Sequence, residues 1–117
     1  MVHLLTLLLT ALAAFATDVT GTWRGTLTRD GRQPTSAVLV LRQEGSTVTG
    51  TAGESDEDRQ PISHGTIKDD VVTFEVAVGE SSMKFDLKLN GDDLTGGVVR
   101  ERDGQQLKAT LQLKRAR

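Results

Sequence analysis

Much of the chain alternates between apolar and polar residues. Met83, Phe85, Leu87 and Leu89 are separated by Lys84, Asp86 and Lys88, while Leu107, Ala109, Leu111 and Leu113 are separated by Lys108, Thr110 and Gln112. A period of two with charge on the off-positions describes a strand with one dry and one wet face. Val72, Phe74, Val76 and Val78 repeat the pattern against Thr73, Glu75 and Ala77. Turn-forming pairs punctuate these runs: Asp30-Gly31, Glu44-Gly45, Asp69-Asp70, Gly79-Glu80, Asn90-Gly91 and Asp103-Gly104. The pattern predicts strands over 20–29, 35–43, 46–53, 60–68, 70–78, 82–90, 92–101 and 105–115. No stretch after Ala16 carries helical periodicity with a cap, so the domain is expected to be all β.

Short connections leave little room for Greek-key crossings, and a one-sided strand needs its apolar face enclosed. Both considerations favour an eight-stranded antiparallel up-and-down barrel, which has no exposed edges. The segment Gly45 to Thr51 also echoes Gly91 to Gly97, four strands later. Placing Trp23 inside puts Leu27, Leu39, Leu41, Val48, Ile62, Phe74, Val76, Phe85, Leu87, Leu94, Val98, Leu107 and Leu111 inside with it. Gly25, Gly50 and Gly96 share that parity, and are expected to let strands coil sharply rather than to clear space for a ligand.

In a meander, connections one, three, five and seven lie at one rim. They include the two longest, 29–35 and 53–60, so that rim is the expected ligand mouth. Arg29 and Arg100 have inward parity there. An inward guanidinium requires a carboxylate, solvent or an anionic ligand, and the loop carboxylates Glu54, Asp56, Glu57, Asp58 and Asp103 are the expected partners. Arg29, Phe74, Met83, Phe85 and Arg100 are the candidate residues of lumen and mouth.

Residues 4–16 read LLTLLLTALAAFA, too short an apolar run to span a membrane and ending in the small-x-small pattern of a signal-peptide cleavage site. The expected organisation is a signal peptide over 1–16 and a single barrel domain over 17–117, secreted or periplasmic in a bacterium. Hydrophobic residues at 37%, with 12 Gly and only 2 Pro, fit a turn-rich globular domain and exclude a coiled coil or collagen-like repeat. A formal charge of −2 supplies no basic field for nucleic acid, and no stable membrane anchor is expected.

Gly21-Thr22-Trp23 opens the first of the expected strands, and on that motif and the eight-stranded meander the chain resembles the calycin group of lipocalins, fatty-acid-binding proteins and avidins. In lipocalins the matching Trp plugs the closed end of the barrel beneath an Arg from the last strand. The resemblance therefore implies a plug of Trp23 under Arg115, which parity also permits. The chain is similar as well to small secreted bacterial barrel modules in Gly-Thr-Trp-x-Gly-x-Leu (21–27), Val-Thr-Gly-Thr (48–51), Pro-Ile-Ser-x-Gly-x-Ile (61–67) and the Leu-x-Gly at 94–96. Avidin-type biotin sites use several Trp and a Tyr, and this chain has one Trp and no Tyr.

Zero Cys, and His64 as the sole His beyond the leader, exclude the usual zinc sites and thiol chemistry. The acidic run Glu54 to Asp58 lacks the spacing and Gly of an EF-hand loop. No catalytic constellation, cofactor or metal is expected. The expected function is a non-catalytic, exported, lipocalin-like barrel binding a small apolar or anionic amphiphilic molecule at its mouth. The alternative is a protein-interaction or protease-inhibitor-type module using loops 29–35 and 53–60 on a secreted partner.

Overall fold

The computed structural model describes residues 18–116; the apolar segment 4–16 and the expected boundary after Ala16 lie outside them. The strands are β1 (Gly21–Arg29), β2 (Thr35–Glu44), β3 (Thr47–Gly53), β4 (Arg59–Pro61), β5 (Ser63–Lys68), β6 (Val71–Val78), β7 (Ser81–Asn90), β8 (Asp93–Arg102) and β9 (Gln105–Arg115). Hydrogen-bonded neighbours run β2-β1-β9-β8-β7-β6-β5-β3, and β3 pairs back onto β2. First and last strands lie side by side from Trp23 opposite Arg115 to Arg29 opposite Ala109. The protein is a closed, eight-stranded antiparallel barrel, with β4 and β5 as two pieces of the fourth strand.

That fourth strand departs from simple alternation. Ile62 and Ile67 are five residues apart, so an unbroken strand over 60–68 would send them to opposite faces. Both pack against the core. A register shift between Ser63 and Thr66, with His64 at φ 55°, restores the inward direction. Such a bulge inserts an unpaired residue and bends the strand. Above it β4 pairs with β3 but has no ladder to β6.

Inside the ring the core includes Trp23, Leu39, Leu41, Val48, Phe74, Val76, Phe85, Leu87, Leu94, Val98 and Leu111, as parity predicts, with Val19, Val72, Leu89 and Leu113 added. Leu27 is only partly buried. Leu107 differs: it is 49% exposed. β1 ends at Arg29 opposite Ala109 while β9 continues to Gln105 along β8, so Leu107 has a neighbour on one side only. Val38, on the outer face by parity, is nevertheless only 5% exposed.

The strand glycines act through close approach. A methyl group on Gly25 would run into the carbonyl of Gln112, on Gly50 into that of Val40, and on Gly96 into that of Asp86. The missing side chains admit neighbouring backbone and let the strands coil.

Candidate functional site

The two ends of the barrel have opposite characters. At the closed end Trp23 is fully buried and its indole Nε1 donates to the Val19 carbonyl at 3.0 Å. The Arg115 guanidinium lies 4.4 Å from the Trp23 ring centroid. Each guanidinium nitrogen donates one hydrogen bond: Nε to Asp92 Oδ1 at 3.2 Å, Nη1 to the Thr20 carbonyl at 2.9 Å and Nη2 to the Asp18 carbonyl at 3.1 Å. A cation over an indole is worth about 0.5–2 kcal/mol. With the indole N–H and every guanidinium nitrogen bonded to the protein's own oxygens, this end is a structural lock.

At the other end the barrel opens into a concavity of about 610 Å³. Leu27, Met83, Val98, Leu107 and Ala109 supply its apolar surface, and Arg29, Arg32, Arg100, Arg102 and Lys108 border it against one lining carboxylate, Asp30. The register explains the grouping. Arg29 stands opposite Ala109, Ala109 opposite Val98, and Arg100 lies between Met83 and Leu107. Arg29 and Arg100 are thus two strands and two residues apart on one inner wall, a Cα separation of about 12 Å at standard sheet spacings, which two extended guanidinium side chains can bridge to a common anion.

The expected internal salt bridges to these arginines do not form. Asp56 pairs with Arg24 at 3.0 Å, and Ser36 Oγ donates to the Glu54 carbonyl at 2.7 Å. These contacts fold the 53–60 connection back across the outer wall over Val38, instead of over the mouth. Arg100 Nε donates to Ser81 Oγ at 3.0 Å. Among the described residues, neither Arg29 nor Arg100 has a carboxylate partner. Both sit at the wet rim, where charge is tolerated.

Of the remaining candidates, Met83 lines the mouth, whereas Phe74 and Phe85 lie deeper. They are 2% and 6% exposed and stack with ring centroids 4.5 Å apart and planes 16° from parallel. Parity places them inside, but only the register shows that they face each other rather than the opening.

A second concavity of about 1080 Å³ runs along the outer face of β6, β7 and β8 and reaches the rim at Arg100. Its surface carries Thr73, Glu75, Lys84 and Asp86, whose parity is outward. Glu75 already accepts from Ser82 Oγ at 3.2 Å and pairs with His64 Nδ1 at 3.4 Å. Charges of both signs along this face set no preference for an anionic or a cationic ligand. Among the described residues, no group of three or more His, Asp or Glu is placed to hold a metal ion. No family model matches the chain, and neither a curated protein nor a solved structure matches it.

Proposed function

We propose that this protein is a non-catalytic, exported, calycin-like barrel whose mouth captures a small anionic amphiphile. One observation carries the reading: inward Arg29 and Arg100, neither with a carboxylate partner among the described residues, stand beside an apolar patch at the open end of the barrel. Guanidinium groups suit carboxylate, sulfate and phosphate heads because their donors form a planar fork. The Leu27, Met83, Val98, Leu107 and Ala109 surface suits the apolar part. The calycin likeness rests on the closed barrel and on the Trp23–Arg115 lock.

The full-length chain titrated with 1-anilinonaphthalene-8-sulfonate, an anionic aromatic probe, tests this reading. Binding is expected, and Arg29→Ala and Arg100→Ala should each weaken it by about tenfold, the effect of losing roughly 1.5 kcal/mol from a charge-assisted hydrogen bond. Added salt should weaken the wild type and act less on the double variant. Absence of binding, or binding indifferent to both substitutions, would overturn the proposal.

A further inference from the structure

We infer that the mouth takes amphiphiles of short to medium tail, lying across the opening with the head between Arg29 and Arg100, and excludes long tails from the barrel axis. This deepens the mouth reading and rests on it. The route downward is closed by side chains. On the register row that begins at Arg29, the inner wall continues through Ala109, Val98 and Phe85 to Phe74. Four strand steps in an eight-stranded ring bring Phe74 to the wall opposite Arg29. Phe74 and Phe85 stack side by side on neighbouring strands and project into the interior, both buried, with Leu87 and Leu111 buried one step further along their strands. A tail entering along the axis would have to displace this close-packed pair, and protein interiors have no slack to receive it.

Sideways the site is open. The apolar surface crosses from Leu27 on β1, through Ala109 and Val98, to Met83 on β7. Leu27 and Val98 are two strand spacings and two residues apart on this path, about 12 Å along the wall, a span that an extended decyl chain covers. Leu107, the one large hydrophobic side chain strongly exposed among the described residues, sits above this path where a tail would cover it. Methylenes beyond the far wall would emerge into water and gain nothing.

Calorimetric titration of the full-length chain with butanoate, hexanoate, octanoate, decanoate, dodecanoate and hexadecanoate, each below its micelle concentration, reads the tail directly. Affinity should rise by up to about fourfold per methylene, the value for complete burial of that group, as far as decanoate, and then level off. A nitroxide at the far end of decanoate should broaden the methyl signals of Leu107 and Met83 and spare those of Leu87 and Leu111. Continued tightening through hexadecanoate, or broadening at Leu87 and Leu111, would overturn the crosswise placement while leaving the mouth as the site. Failure of every member to bind would overturn the mouth reading and this inference together.

Discussion

Leu87 is 1% exposed and its neighbour Lys88 is on the wet face. Leu87→Asp introduces an inward carboxylate with no partner, at a cost of several kcal/mol against a total stability of about 5–15 kcal/mol. Thermal melts followed by circular dichroism should show the variant unfolded at room temperature. Lys88→Asp should stay within about 0.5 kcal/mol of wild type. A second residue-scale test lies in the tight β5–β6 turn, where Asp69 and Asp70 adopt φ of 53° and 66°. This left-handed geometry suits Asn-Gly better than Asp-Asp. Asp70→Gly should therefore stabilise the domain by about 0.5–1 kcal/mol, raising Tm by a few degrees; a lowered Tm would contradict that backbone. At this scale most of the interior was legible, because parity alone sorts Phe74, Phe85, Leu87 and Leu111 inward. Leu107 was not, since its exposure depends on where β1 stops rather than on which way its own side chain points.

Elements show the same mixture. The turn-forming pairs marked the hairpins, and the strands meet where those marks placed them. Position 64 was different: alternation carries no notice that His64 takes a left-handed backbone and shifts the register, so the bulge at the start of β5 was hidden. Gly96 and Gly97 provide a test of strand coiling from two adjacent residues. A methyl at Gly96 meets the Asp86 carbonyl, whereas at Gly97 it meets nothing within 4 Å. Gly96→Ala should cost about 1–3 kcal/mol in urea unfolding, the usual range for forced overpacking. Gly97→Ala should be neutral or slightly stabilising. Equal loss from both would mean that β8 is not held close to β7 as described.

For the whole molecule, closure converts local alternation into two distinct ends. One is locked by Trp23 beneath Arg115; the other gathers Arg29, Arg100 and a half-exposed apolar rim. The arginine pair was legible because strand parity extends to the last residues of β1 and β8. The loops were not. Nothing in the run from Glu54 to Asp58 tells that Asp56 will reach Arg24 across the outer wall, which takes Asp56 away from the mouth it was expected to neutralise. What survives is an open end with positive charge above oil-like surface, the combination on which the proposed binding depends.

Methyl and arginine-side-chain NMR of the full-length chain titrated with octanoate probes that combination most directly. Shifts should concentrate on Leu27, Met83, Val98, Leu107 and Ala109 and on the Nε–Hε groups of Arg29 and Arg100, while the Trp23 indole stays unmoved. Shifts centred instead on the Trp23 end, or on the outer-face residues Thr73 and Val99, would contradict it.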